Sequence, residues 1–400
     1  MGKEREFSRE LNNRSPAAQR TGLIIGVPRE TAQGEKRVGL VLESILKMKG
    51  IEIHVQSGAG ENAGIRDSDY TGAGAVIEKD ANSLYEGADL VVKVQPPAPA
   101  EASTLKRGAA VVSFLFPQSN LGAVRKLVER EATAFAMELM PRISRAQSMD
   151  ALSSQSLVAG YKAVLIAAES LPKLFPMLMT AAGTIAPARV FVLGAGVAGL
   201  EAIATARRLG AVVEAYDVRP AVKEQIESLG AKFVELPLEA KDAQTSGGYA
   251  KAQSDEFYRR QQELLASHAR QSDVVVTTAL VPGSRAPLLV TEDAVKGMRP
   301  GSVIVDLAAE QGGNCALTEA GRTVVKFGVT IHGPLNIPSS MAPQSSQLYS
   351  RNVTAFVMPM LKEGALKVDL SDEVVKGTMV VQGGKILHEP TRKALEGGQR

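Results

Sequence analysis

Four hundred residues, 44% of them apolar and with mean hydropathy near zero, describe a globular chain long enough for two or three domains. The net charge is +3, from 46 basic and 43 acidic residues interspersed along the chain, which marks no nucleic-acid surface. A single cysteine, Cys315, excludes an intramolecular disulfide framework and a cysteine zinc site, and fits a reducing cytoplasm.

Residues Met1 to Thr21 mix Lys3, Arg5, Arg9, Arg14 and Arg20 with Glu4, Glu6 and Glu10 around no apolar core, so they read as a disordered extension and not as a secretory signal. The spacing then predicts a buried strand at 22–27, a polar loop over 28–39 (PRETAQGEKRVG) and an amphipathic helix around 40–48. Further strand pieces fall at 51–56, 75–76, 89–94 and 110–115, and 133–140 closes this region. Next comes PRISRAQSMDALSSQS, residues 141–156, ahead of a helical pattern running from 157 to about 171; it is either a functional loop at a domain boundary or a solvated linker. No run reaches the roughly 18 apolar residues that span a bilayer. The nearest, 163–186, is broken by Glu169, Pro172, Lys173 and Pro176, so direct membrane insertion is not expected.

The segment 188–220, ARVFVLGAGVAGLEAIATARRLGAVVEAYDVRP, reads as one half of a dinucleotide-binding βαβ unit. A strand at 189–193 leads into Gly194, Gly196 and Gly199 at G-x-G-x-x-G spacing, then a helix from Leu200 to Leu209 with Gly210 as its stop, then a strand at 212–216. The first glycine permits the tight turn, the second lets backbone approach a pyrophosphate, and the third lets helix and strand pack closely. The helix start offers free N–H groups and a positive dipole end to phosphate. Asp217, 23 residues past Gly194, ends the second strand, where a carboxylate can accept from both ribose hydroxyls and repel a 2′-phosphate, favouring NAD(H) over NADP(H). Arg219 can stack on adenine, offset Asp217 or stand solvated in the turn; spacing does not choose among these.

The sheet continues at 233–236, and a small-residue stretch, 239–254, which contains Tyr249, has the composition of a lid. A helix at 257–269 and strands at 273–278 and 302–307 follow. Loops 279–283, with Leu280, and 308–314, with Glu310, lie at the carboxyl ends of those strands, where open parallel sheets bind ligands. The expected fold is therefore α/β: two Rossmann-like domains with parallel sheets, the second (151–342) binding the dinucleotide, and a C-terminal segment from about 343 returning to the first (22–150). His54, His268, His332 and His388 are scattered without ligand spacing, and no metal site is expected.

The loop RISRAQSMD, the fingerprint GAGVAGLEAIATARRLGA, the GGYA insertion and the loop DLAAEQGGNC together resemble the NAD(H)-binding component of proton-translocating nicotinamide nucleotide transhydrogenases. The likeness runs from about residue 22 to the C-terminus. The wider superfamily includes alanine dehydrogenase, with the same two-domain fold and GVPRE…RV opening. In that relative the resemblance places substrate-carboxylate ligands at Arg37 and Lys93, both retained. It places a catalytic histidine where this chain has Phe116-Pro117, and an aspartate where it has Glu310. With no imidazole there, no obvious group takes a proton as hydride leaves.

What the resemblance implies is a direct hydride passage from NADH held here to NADP⁺ held on a partner subunit. Arg142, Gln147 and Asp150 would hold the nicotinamide and its ribose, with Gln147 bridging toward the incoming ring, and Ser153 would contact the carboxamide or pyrophosphate region. Tyr249 would fold over bound nucleotide and exclude water. The resemblance further implies a homodimer, docked through a membrane-spanning subunit and an NADP(H)-binding subunit on the inner face of the bacterial plasma membrane, with hydride transfer coupled to proton translocation. Blander roles stand beside these: Arg142 and Asp150 paired at a helix start, Tyr249 as an exposed loop aromatic, Glu310 as a loop cap, Arg37 and Lys93 as ion-pair relics. A stand-alone amino-acid dehydrogenase and a nucleotide-sensing module without turnover are the other two readings.

Overall fold

A computed structural model describes residues 22–236, 254–280 and 285–397. The first sheet takes β1 (Ile24–Val27), β2 (Glu52–Gln56), β3 (Val76–Glu78), β4 (Leu90–Val92), β5 (Ala110–Ser113) and β6 (Thr133–Ala136). A hairpin of β7 (Leu178–Thr180) and β8 (Gly183–Ile185) stands apart. The second sheet takes β9 (Arg189–Leu193), β10 (Val212–Tyr216), β11 (Lys232–Phe233), β12 (Val274–Thr277), β13 (Val303–Asp306), β14 (Thr323–Lys326) and β15 (Val329–His332). After the small pair β16 (Leu361–Lys362) and β17 (Ala365–Leu366), strands β18 (Met379–Gln382) and β19 (Lys385–Ile386) complete the first sheet.

The strand orders are β19-β18-β6-β5-β4-β1-β2-β3 and β11-β10-β9-β12-β13-β15-β14, parallel except for the β18–β6, β18–β19 and β14–β15 pairings. Six strands of each sheet thus follow the doubly wound order, with the direction of winding reversing between β1 and β4 and between β9 and β12. Both faces of each sheet are covered, as a parallel sheet requires. Along β9, Val190 and Val192 enter one core while Phe191 and Leu193 enter the other; along β4, Leu90 and Val92 oppose Val91 in the same way.

Helix Ala151–Ser170 links the two halves. It begins six residues before the expected 157, because the Asp150 carboxylate accepts from the Ser153 amide and caps the first turn. Ala151 sits in the core of the first sheet, and Ala163, Val164 and Ala167 in that of the second. Its length and mean hydropathy of 1.2 would also suit a bilayer span, but the helix here serves as packing between layers. Gly160 lets it cross helix Val197–Arg208 closely, since a Cβ there would lie 2.2 Å from the Ala198 carbonyl oxygen. Helix Ala342–Val357 returns Tyr349, Val353, Phe356 and Val357 to the first core.

Candidate functional site

The site is built at the carboxyl edge of the second sheet, where β9 and β12 diverge. After Leu193 the chain turns at Gly194, whose φ of 97° is left-handed and whose absent Cβ would meet Thr278 Oγ1 at 2.6 Å. Gly199 is closer still: a Cβ would stand 1.8 Å from the Gly194 carbonyl oxygen, so only glycine lets the helix seat against its own strand turn. Gly196 differs. Nothing lies within 4 Å of its missing Cβ, and as N-cap of helix Val197–Arg208 it supplies no side-chain hydrogen bond. A dinucleotide fits this arrangement, because open space meets a helix start whose amide donors no side chain caps. The helix ends in a Schellman pattern: the Gly210 amide donates to Arg207 and the Ala211 amide to Ala206.

Around this turn the structure gathers Val197 and Leu280, both exposed, with Asp217 and Arg219. Asp217 is buried, and its Oδ2 accepts from the Ala195 amide at 2.7 Å, so it holds the glycine turn itself. Arg219 forks onto the same carboxylate, with Nε 2.8 Å from Oδ1 and Nη2 2.8 Å from Oδ2. Of the roles open to Arg219 in the sequence, the structure shows it offsetting Asp217.

Two residues to which sequence spacing gives little pointer fix the loops. Asp306, wholly buried at the end of β13, accepts from Thr277 Oγ1, the Ala308 and Cys315 amides and Thr318 Oγ1, at 2.7 to 3.0 Å. Asn314, also wholly buried, pairs with residue 279 as a strand would: Oδ1 accepts from the Ala279 amide at 3.0 Å and Nδ2 donates to the Ala279 carbonyl at 2.9 Å. Its Nδ2 also donates to the Pro287 carbonyl at 2.8 Å. Both lie in the loop DLAAEQGGNC that carries the family resemblance, while spacing itself gives only an acid closing an apolar strand, followed by a small-residue loop.

Glu310 is exposed in the loop so held, and its carboxylate accepts from the Asn336 amide. Arg142 and Gln147 are exposed in the segment before the linking helix, while Asp150 and Ser153 are half-buried and bonded to each other through both the Ser153 amide and its hydroxyl. That segment is anchored from behind: the Ser148 carbonyl accepts from Asn352 Nδ2. Along the linking helix, Ser153 precedes Gly160 by seven residues, about 10 Å of rise. Arg145, which the sequence does not mark, makes a bidentate pair with Asp372. Tyr249 lies outside the described residues, as does the extension 1–21.

The first sheet's own winding reversal holds a buried charged cluster. Arg37 donates Nε and Nη2 to Glu35, Nη1 to Gln155 Oε1 at 2.8 Å and Nη2 to Asn336 Oδ1 at 3.1 Å. Lys93, 1% exposed, has Nζ 3.2 Å from Glu101 and 3.5 Å from Glu30. Burial opposes ionisation of Glu35, yet the hydrogen bonds and charge of Arg37 outweigh it and hold the carboxyl at about 2. For Glu30 burial wins over Lys93, and its pKa is raised. At the end of β5, Phe116 takes a left-handed φ of 40° and stacks on Phe114 with ring centroids 5.8 Å apart. The conformation is pinned from both sides: Glu138 accepts from the Leu115 and Phe116 amides, and Asn120 donates to the Leu115 and Phe116 carbonyls. Burial pushes the Glu138 carboxyl up to about 7.

Residues 26–159 match the family Alanine dehydrogenase/PNT, N-terminal domain, and residues 163–389 its C-terminal domain. The chain is 50% identical over 374 residues to the first portion of NAD(P) transhydrogenase subunit alpha of Rhodospirillum rubrum, covering 91% of this chain and 97% of that protein. It is 31% identical over 380 residues to alanine dehydrogenase of Halomonas elongata, covering 93% and 96%. Among solved structures, the transhydrogenase from Sinorhizobium meliloti is similar with a TM-score of 0.82 at 44% identity, covering 91% of this chain and 99% of that one.

Proposed function

The chain belongs to the alanine dehydrogenase/PNT family, and on that premise we propose that it is the NAD(H)-binding part of a proton-translocating NAD(P) transhydrogenase. Residues 151–342 form the nucleotide domain, and 22–150 with 343–400 the domain packed beside it. NADH bound here passes hydride to NADP⁺ held on a partner subunit. One observation within the fold favours this over a small-substrate dehydrogenase. The family's two carboxylate-binding cations, Arg37 and Lys93, are already consumed by Glu35, Gln155, Asn336, Glu101 and Glu30, and the position of its imidazole is a phenyl ring.

NADH supplies the hydride, and a nicotinamide acceptor takes it without releasing a proton, so no side-chain acid or base is needed. The work of this chain is then placement. Gly194, Gly196, Val197 and Gly199 seat the pyrophosphate at the helix start, and Asp217 takes the adenosine ribose. Leu280 and Glu310 flank the dinucleotide from loops held by Asn314 and Asp306. Arg142, Gln147, Asp150 and Ser153 hold the nicotinamide end, so that the two reacting carbons come within about 3–3.5 Å. The hairpin β7–β8, with Met179 80% exposed and Met177, Leu178 and Ile185 exposed beside it, gives a homodimer an apolar contact. A membrane-spanning subunit and an NADP(H)-binding subunit complete the assembly on the inner face of the plasma membrane, where transfer is coupled to proton translocation.

The test is hydride transfer from NADH to a thio-NADP⁺ analogue, with this chain alone and then with a purified NADP(H)-binding component. Activity only in the mixture supports the proposal. Inactivity in the mixture, with reduction of NAD⁺ by L-alanine catalysed by this chain alone, refutes it in favour of an amino-acid dehydrogenase.

A further inference from the structure

Gln147 sits in a 3₁₀ segment, Ser144–Met149, whose own backbone holds it weakly: the Asp150 amide reaches the Gln147 carbonyl only at 3.4 Å. Ala146 and Met149 are buried in the first core on either side, and Gln147 and Ser148 are exposed between them. Packing beneath the segment is incomplete. A cavity of about 140 Å³ lies between it and the C-terminal return segment, lined by Arg145, Met149, Phe356, Asp372 and Val375 among others. Two polar tethers bracket Gln147 instead, and both come from that return segment.

Arg145, two residues before Gln147, forks onto Asp372, with Nη2 2.6 Å from Oδ1 and Nη1 2.9 Å from Oδ2. Exposed pairs are usually worth little, because two side chains must be ordered to make them. Here Asp372 is already fixed, since it caps helix Glu373–Thr378 by accepting from the Val374 amide at 2.8 Å. On the other side of Gln147, the Ser148 carbonyl accepts from Asn352 Nδ2 at 2.9 Å. Asn352 is buried in helix Ala342–Val357, and its amide has one workable orientation. The Ser148 carbonyl needs a donor, while Oδ1 accepts from Ser154 Oγ at 2.7 Å, a hydroxyl that in turn accepts from Gln155 Nε2 at 3.2 Å.

We propose that Asn352 and the Arg145–Asp372 pair are positioning residues for hydride transfer, clamping the segment on both sides of Gln147 so that its carboxamide meets the acceptor ring at a fixed height. This rests on the transhydrogenase reading above. All three act through Gln147. Loss of either tether lets the segment shift toward the cavity, and a misplacement of about 1 Å at a near-attack geometry costs about 100-fold in rate. NADH affinity, carried by the glycine turn and Asp217, changes little.

The experiment measures NADH affinity and single-turnover hydride transfer to thio-NADP⁺ in the mixture with the NADP(H)-binding component, with circular dichroism melts to confirm the fold. The proteins are wild type, R145Q, N352A, Q147N and the doubles R145Q/Q147N and N352A/Q147N. R145Q, an exposed change outside the core, and N352A are each expected to slow transfer about 10- to 100-fold while NADH affinity stays within about threefold. Each double should transfer hydride about as slowly as Q147N alone, because residues acting through one group are not additive. Folded R145Q and N352A that transfer hydride at the wild-type rate overturn the proposal and leave the tethers a role in stability alone. Rate and affinity falling equally, or doubles that lose the full product of the single losses, overturn it as well. A wild-type mixture that transfers no hydride overturns the transhydrogenase reading, and this inference falls with it.

Discussion

Asn314→Asp replaces one amide nitrogen by oxygen at a wholly buried position, and the structure sets what that costs. One carboxylate oxygen can still accept from the Ala279 amide. The other would face the Ala279 and Pro287 carbonyl oxygens, now at 2.9 and 2.8 Å as acceptors of Nδ2. Two buried hydrogen bonds become two repulsive contacts, and each orphaned buried acceptor costs about 1–3 kcal/mol. The expected loss is about 2–5 kcal/mol, or a fall in thermal midpoint of roughly 5–20 °C at about 2–4 °C per kcal/mol for a domain of 150–250 residues. The new carboxyl would be raised well above an unfolded aspartate, so the penalty is small below the unfolded pKa and grows as pH rises through the folded one. The assay is a thermal melt of wild type, N314D and N314A between pH 5 and pH 8, with NADH affinity measured alongside. An N314D midpoint within 1 °C of wild type across that range, with unchanged affinity, would refute the scaffold argument.

Gly199→Ala drives a Cβ to 1.8 Å from a backbone oxygen that no rotamer change relieves; it should cost about 3 kcal/mol or more and abolish NADH binding, and a wild-type melt with intact binding would contradict the packing described. Gln147→Asn shortens an exposed side chain that nothing in the fold depends on, so hydride transfer to thio-NADP⁺ should slow far more than NADH affinity falls; equal losses would make Gln147 an ordinary binding residue. Glu138, raised from the ordinary carboxylate value of 4.5 to about 7 by burial, makes the folded state bind more protons than the unfolded one between those two values. Stability should therefore decline as pH rises through that window and then level, by at most about 3 kcal/mol. Glu138→Gln should flatten that slope, and identical melting profiles of both proteins against pH would remove the buried charge from the account.

What can be read in the chain and what cannot divide along one physical line. Strands β9 and β10 fall at 189–193 and 212–216, where an apolar β-branched run, three glycines and a terminal acid set them, because every signal involved is local. The linking helix starts six residues earlier than its own composition suggests. Ser153, Ser154, Gln155 and Ser156 look like a loop, but polar groups among them are spent inside the protein: Gln155 on Arg37 and Ser154 on Asn352, more than a hundred residues away in each case. Strands β14, β15, β18 and β19 are two to four residues long; β15 joins the sheet on β13 and β18 on β6, neighbours distant in sequence, and periodicity over so few residues carries little weight against that. The same holds within the site. The glycines and Asp217 announce themselves by spacing, whereas Asp306 and Asn314 matter only because the fold sets loops 279–280 and 308–314 side by side.

The buried charges explain why a chain with a dehydrogenase fold need not keep dehydrogenase chemistry. Glu310, in the loop beside the dinucleotide turn, accepts from the Asn336 amide; Asn336, itself left-handed at φ 44°, donates Nδ2 to Glu35 and accepts from Arg37. Arg37 passes on to Gln155 in the helix whose first turn Asp150 caps. A continuous run of hydrogen bonds thus joins the first sheet's winding reversal to the loop after β13 of the second sheet, and the cation in it is paired at short range. Removing one member would leave an uncompensated buried charge, which costs far more than the pair contributes. A substrate carboxylate entering here would have to compete with Glu35 for Arg37, one buried carboxylate for another, with no net gain in pairing. A second planar nicotinamide makes no such demand. On the proposed reading, the polar cluster has ceased to be a substrate anchor and become the strut that holds the nucleotide loop against the neighbouring sheet.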